Sequence, residues 1–141
     1  LYKRKSYFTN IPSTSLNVFS KKTKFFNRFS NISECDILII CLPTPLKNNK
    51  PDLSHIVNAI KLLKPQLRKG QLLILESTSY PGTTREELYE KLKSKFLIGK
   101  DFFIGFSSER INPGYNDNKI DKIPKVVSGY SSKCLNLCEK F

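Results

Sequence analysis

Asp36-Ile-Leu-Ile-Ile-Cys-Leu42, closed by Pro43, and Gln71-Leu-Leu-Ile-Leu-Glu76, closed by the turn-rich stretch Ser77 to Gly82, are the segments from which the fold is read. Each is a short, nearly unbroken apolar run bounded by turn formers, the pattern of a strand buried on both faces. Between them Leu53, Ile56, Val57, Ile60 and Leu63 recur at helical spacing, with Asp52 placed to cap the helix and Lys69-Gly70 to stop the segment. Strand, amphipathic helix and strand in that order predict parallel pairing with a helical crossover.

The pattern continues outward. Thr83 followed by Glu86 reads as a capping box, with Leu88 and Leu92 as the buried stripe of a second helix. Asp101-Phe-Phe-Ile-Gly-Phe106 reads as a third buried strand, followed by a Pro- and Asn-rich loop from Ser107 to Lys122. A short strand is expected around Lys125 to Ser128, then a helix from Ser131 to Phe141. Upstream, Lys24 to Phe29 reads as a short strand and Ile32 to Cys35 as a turn. The expected fold class is α/β: an incomplete Rossmann-like, doubly wound and mostly parallel sheet with helices on both faces.

The 141 residues are enough for one domain with a real core. They begin at Leu1 and contain no methionine, so the chain is expected to be a piece of something longer. No apolar run reaches the roughly 18 residues of a membrane-spanning helix, and the first 20 residues lack the apolar core of a signal peptide. A cytoplasmic protein without membrane contact is expected. The net charge of +12 is concentrated at the front, where Lys3, Arg4, Lys5, Lys21, Lys22, Lys24 and Arg28 precede the first acid, Glu34. Such a cluster can bind phosphates through counterion release. Arginine is scarce, however, no recognition-module signature is present, and Lys, Asn, Ile and Phe are abundant together, so coding bias is the preferred account over nucleic-acid binding. Cys35, Cys41, Cys134 and Cys138 lack paired zinc-site spacing and are expected to be free, buried thiols, with no metal bound. His55, the only histidine, is expected at the surface.

In a doubly wound sheet, ligands lie beyond the carboxyl ends of the strands. Three unusual loops fall there: Leu42-Pro-Thr-Pro-Leu46, Glu76-Ser-Thr-Ser-Tyr-Pro-Gly-Thr-Thr84 and Ser107-Ser-Glu-Arg-Ile-Asn-Pro-Gly114. Singly, the prolines could end a strand, Thr83 could cap and Pro113-Gly114 could turn. Together they point to a site. Pro43 and Pro45 fix an extended loop whose backbone and Thr44 can meet a flat or sugar-like ligand with little ordering entropy lost. Ser77 and Thr78 offer hydroxyls just before a helix whose free N–H groups favour anions. Glu109 can move a proton and Arg110 can hold a phosphate or carboxylate, the alternative being structural ion pairs.

These residues carry a resemblance. Ile39-Ile-Cys-Leu-Pro-Thr-Pro-Leu46, Pro51-Asp-Leu-Ser54, Leu75-Glu-Ser-Thr-Ser-Tyr-Pro-Gly-Thr-Thr-Arg-Glu-Glu87 and Ser108-Glu-Arg-Ile-Asn-Pro-Gly114, in this order, resemble the UDP-glucose/GDP-mannose dehydrogenase family, nearest to the enzymes acting on UDP-N-acetylglucosamine or UDP-N-acetylmannosamine. The resemblance runs from about Lys5 to Gly129. It implies oxidation of a nucleotide sugar's C6 alcohol to a carboxylate in two steps with two NAD, through a thiol-bound aldehyde stage. It implies that Pro43, Thr44, Pro45, Ser77 and Thr78 contact NAD, and that Arg110 and Ile111 contact a UDP-sugar. Glu109 would stand at the reacting carbon as acid/base or water-ordering carboxylate, assisted by Thr78. On this resemblance residues 1–141 are a partial N-terminal NAD-binding domain. The glycine-rich fingerprint is expected upstream, and the central helix and C-terminal substrate domain, which together carry the catalytic lysine, asparagine and cysteine, are expected downstream. The piece alone is expected to be inactive, and its parent a homodimer or higher homo-oligomer. A degenerate nucleotide-binding relic is the alternative. Ser108 departs from the family, which usually has proline there, but leaves Glu109 and Arg110 in register.

Overall fold

The computed structural model describes residues 5–6, 12–18, 23–109 and 124–141. The described residues up to Arg28 belong to a small unit, and those from Phe29 onward to the main one. In the small unit a 3-10 turn spans Ser13–Val18, and the Ser6 N–H donates to Ser13 Oγ at 3.1 Å. The strand expected over Lys24 to Phe29 does not form: these residues are irregular. The turn expected at Ile32 to Cys35 is present as a single 3-10 turn, Ile32–Glu34.

The main unit follows the predicted alternation. β1 (Ile37–Ile40) leads through a hairpin, β2 (Leu46–Lys47) and β3 (Lys50–Pro51), to α1 (Ser54–Leu63). β4 (Leu72–Leu75) follows, then a π-helical segment, Thr84–Tyr89, that runs into α2 (Glu90–Leu92). β5 (Phe103–Ser107), β6 (Val127–Gly129) and α3 (Ser132–Lys140) complete it. The sheet order is β1-β4-β5-β6, with β1, β4 and β5 parallel and β6 antiparallel to β5.

Alternation of side chains sorts the strands into two faces. Leu73, Leu75 and Ile104 pack with Ile56, Ile60 and Leu63 of α1 and with Leu88 and Leu92 on the other helix. Leu72, Ile74 and Phe103 pack on the opposite face against Cys134 and Cys138 of α3. Helices therefore cover both faces. Gly105 and Gly129 let α3 approach, since a Cβ on Gly129 would stand 2.1 Å from the Leu135 backbone nitrogen.

Three local expectations are corrected. β1 is not buried on both faces: among the described residues it is an edge strand, and its Ile37 and Ile39 are 36% and 43% exposed. The apolar run gives strand propensity, but α3 lies over β4 and β5 rather than over these two side chains. The capping box does not form. Thr83 has helical backbone angles and turns its hydroxyl back to the Tyr80 carbonyl (2.7 Å), while Glu86 accepts from the Tyr80 hydroxyl (3.0 Å). Cys134 and Cys138 are buried free thiols, as expected, but Cys35 and Cys41 are exposed because their neighbours leave them at the sheet rim. His55 is exposed, and the Asp52 carboxylate accepts from the Ser54 N–H at 2.9 Å at the entry to α1.

Candidate functional site

β1, β4 and β5 are parallel neighbours and end at the same side of the sheet, so the segments after β1 and β4 and the described start of the segment after β5 leave one rim. The first two are laced together. Ser77 is 5% exposed, accepts from the Leu42 N–H at 2.7 Å and donates to the Ile40 carbonyl at 3.3 Å. Both functions of that hydroxyl are spent on the exit of β1, so Ser77 shapes the rim from beneath. Thr44 Oγ1 donates to the Thr78 carbonyl at 2.8 Å, which fixes the Pro-Thr-Pro loop against the loop after β4. Pro43, Pro45 and the Thr78 side chain remain exposed. The rim is thus a stiff, hydroxyl-bearing shelf at the carboxyl ends of two adjacent parallel strands, where open α/β sheets receive dinucleotides.

Beside the shelf lies a row of polar groups on the α3 face. Glu76 extends β4, its N–H donating to the Ile40 carbonyl at 2.9 Å. Its carboxylate receives the Lys125 ammonium, and its other oxygen accepts the Cys41 thiol at 3.7 Å. Although the residue is exposed, partial desolvation of its thiol, then the Glu76 charge, pushes Cys41 above its ordinary pKa. The hydrogen bond to Glu76, with further help from Glu109, holds Lys125 above its ordinary value. Ser107, 4% exposed, places its hydroxyl in the same row without a hydrogen-bond partner among the described residues. Ile74, Glu76, Ser107, Lys125 and Val127 line a cavity of about 390 Å³ there. Glu109 is exposed at the end of β5.

On the other face, a cleft of about 440 Å³ opens between Tyr80, Thr84 and Arg85 on one side and Phe106 and Tyr130 on the other. Tyr89 stacks on Tyr130 with ring centres 4.6 Å apart, and the Arg85 guanidinium lies 5.5 Å from the Tyr130 ring. Tight turning at Gly82, with φ +104°, carries the loop from Ser77 into the π-helical segment.

Thr44, Thr78, Ser77, Pro43 and Pro45 are therefore brought together, and Glu109 stands at the neighbouring strand end. Arg110 and Ile111 lie outside the described residues. Cys41, Glu76 and Lys125 were missed by sequence reasoning. The signal was available for the first two: two-residue alternation from Ile39 and Ile74 puts Cys41 and Glu76 on one face.

Residues 13–140 match the NAD binding domain of the UDP-glucose/GDP-mannose dehydrogenase family. A UDP-N-acetyl-D-glucosamine 6-dehydrogenase of Pseudomonas aeruginosa is 35% identical over 132 residues, which cover 92% of this chain and 31% of the relative. A UDP-N-acetyl-D-mannosamine dehydrogenase of Pyrococcus horikoshii is 35% identical, over 84% of this chain and 29% of the relative. A solved structure of a UDP-D-ManNAc dehydrogenase from Pyrococcus horikoshii superposes with a TM-score of 0.68 at 32% identity, over 82% of this chain and 28% of the other. The chain thus spans under a third of the length of the relatives it matches.

Proposed function

This chain belongs to the UDP-glucose/GDP-mannose dehydrogenase family, within its NAD binding domain, and we propose that it is part of an NAD-dependent nucleotide-sugar 6-dehydrogenase acting on a UDP-N-acetylhexosamine. The observation that carries the reading is the shelf: three loops of the family's pattern leave adjacent strand ends, two of them joined by the Thr44–Thr78 bond. On this reading residues 1–141 form a partial cofactor domain of a longer cytoplasmic enzyme.

The residues fit a nicotinamide nucleotide. Thr44 and Thr78 offer hydroxyls, the prolines offer a pre-shaped apolar rim, and Ser77 fixes the exit of β1 from below. When bound, NAD supplies the acceptor for the hydride leaving C6 of the sugar. Glu109 then serves proton transfer: it takes the proton of the C6 alcohol or orders the water that completes oxidation to the carboxylate. Thr78 assists that water. Arg110 and Ile111 hold the nucleotide sugar, the guanidinium suiting its phosphates. None of the four cysteines is assigned as the thiol nucleophile.

Two preparations test the proposal, each mixed with NAD and UDP-N-acetylglucosamine or UDP-N-acetylmannosamine. The 141-residue chain alone is expected to form no NADH, and the full-length protein is expected to form it with at least one of the sugars. Turnover by the chain alone would overturn the expectation that it is inactive. Silence of the full-length protein with both sugars would overturn the substrate class.

A further inference from the structure

The pairing of β5 with β6 runs Gly105↔Gly129, Phe106↔Ser128, Ser107↔Val127. The Ser108 N–H continues it by donating to the Val126 carbonyl at 3.3 Å. The next pair in that register is Glu109 opposite Lys125. Residues directly opposed in an antiparallel ladder hold their Cβ atoms roughly 4.5–5.5 Å apart, within easy reach for two long side chains. On the other side of β5, the parallel register pairs Leu75 with Phe106, so the next residue, Glu76, comes level with Ser107, and its carboxylate bonds the Lys125 ammonium.

Lys125 therefore stands between two carboxylates at the mouth of the proposed site. We propose that Lys125 is a positioning residue for Glu109: it ties the start of β6 to the end of β4 and keeps a cation opposite the carboxylate used in proton transfer. The inference rests on the functional reading of Glu109. Other groups facing Lys125 are the Cys41 thiol just beyond β1 and, across the same cavity, Ser107 from β5 and Glu139 from α3. The acidic side chains among its neighbours are those of Glu76, Glu109 and Glu139. The Lys125 and Glu76 side chains are 47% and 20% exposed, and an ion pair that open adds little to stability. Its consequence is local: where Glu109 stands and how readily it ionises.

The test compares Lys125→Met and Lys125→Arg in the full-length enzyme. Loss of the cation makes Glu109 harder to ionise, so the acidic limb of the kcat/KM profile moves to higher pH, by about one unit. Lys125→Met is expected to lower kcat about tenfold with KM for NAD unchanged, and Lys125→Arg to restore both kcat and the acidic limb. Independently of turnover, carboxyl NMR of Glu109 is expected to show its titration moving up in Lys125→Met and returning in Lys125→Arg. A Glu109 titration and an acidic limb that stay put in Lys125→Met would overturn the inference. If the NMR titration moves but Glu109→Gln keeps full activity, the pairing of the two side chains stands and the catalytic reading of Glu109 falls.

Discussion

Gln71 gives the most direct physical check on how the main unit is held together. Its side chain is fully buried at the entry to β4. Oε1 accepts from the Arg68 N–H at 2.8 Å, and Nε2 donates to the carbonyls of Ile32 at 2.8 Å and Cys35 at 2.6 Å. One amide thus fastens the turn before β1 to the turn before β4. Replacing Gln71 by leucine removes all three bonds while keeping similar bulk. Two of the three backbone partners are not stranded. The Ile32 carbonyl still receives the Cys35 N–H at 3.1 Å, and the Cys35 carbonyl still receives Arg68 Nη2 at 3.4 Å. Only the Arg68 N–H loses its acceptor. At about 1 kcal/mol net per hydrogen bond, and roughly 1–3 kcal/mol for a stranded buried donor, the gross loss is about 4–6 kcal/mol. Burying leucine in place of an amide returns about 2 kcal/mol. The net expectation is about 2–4 kcal/mol less stability, measured by urea unfolding followed by circular dichroism. Gln71→Glu should be worse, because it keeps the acceptor but buries a charge. A loss below about 0.5 kcal/mol for Gln71→Leu would refute the claim that this amide joins the two turns.

Further expectations follow from the same geometry. Gly129→Ala would drive a Cβ to 2.1 Å from the Leu135 nitrogen and 2.6 Å from the Cys134 carbonyl carbon. Because both obstacles are backbone, α3 must shift, and a loss of roughly 3 kcal/mol or more is expected in the same unfolding assay. Partial desolvation and the Glu76 charge raise the Cys41 pKa, so Glu76→Gln should lower it and speed alkylation of this exposed thiol at pH 8, read by peptide mass mapping. An unchanged rate at Cys41 would remove Glu76 as a cause. Asp52 and Asp101 titrate below their ordinary value, Asp52 through the Ser54 N–H and Asp101 through Lys69. Depressed carboxylates stabilise the folded state above the ordinary aspartate pKa and lose that contribution as pH falls through their folded values. Stability should therefore fall on acidification from about pH 4 downward, and Asp101→Asn should flatten that limb.

The fold was legible where local chemistry and tertiary context agree. Leu72 to Leu75 and Phe103 to Phe106 are buried strands because their apolar runs have a helix waiting on each face. Ile37 to Ile40 has the same composition but lies at the edge, and no property of the run itself distinguishes an edge from a centre. The hairpin of β2 and β3 went unread, although Asn48 and Asn49 both take positive φ (53° and 59°), a conformation asparagine tolerates in tight hairpin turns. Thr83 matched the capping pattern but lies inside the helical turn, where its hydroxyl finds Tyr80 instead. In the site, the loop residues were visible from their hydroxyls and prolines. Lys125 was not, because its place opposite Glu109 comes from the register of two strands whose pairing no single segment encodes.

Under the proposed function, this shelf serves a two-step, NAD-dependent oxidation in the full-length protein, with Glu109 as the proton-transfer group. The most direct measurement is the NADH formed per UDP-N-acetylhexosamine consumed by the full-length protein, with and without Glu109→Gln. About two NADH per sugar are expected from the unaltered protein, because alcohol to carboxylate is two hydride-level oxidations, with a collapse of turnover in the variant. One NADH per sugar, or undiminished turnover by Glu109→Gln, would contradict it.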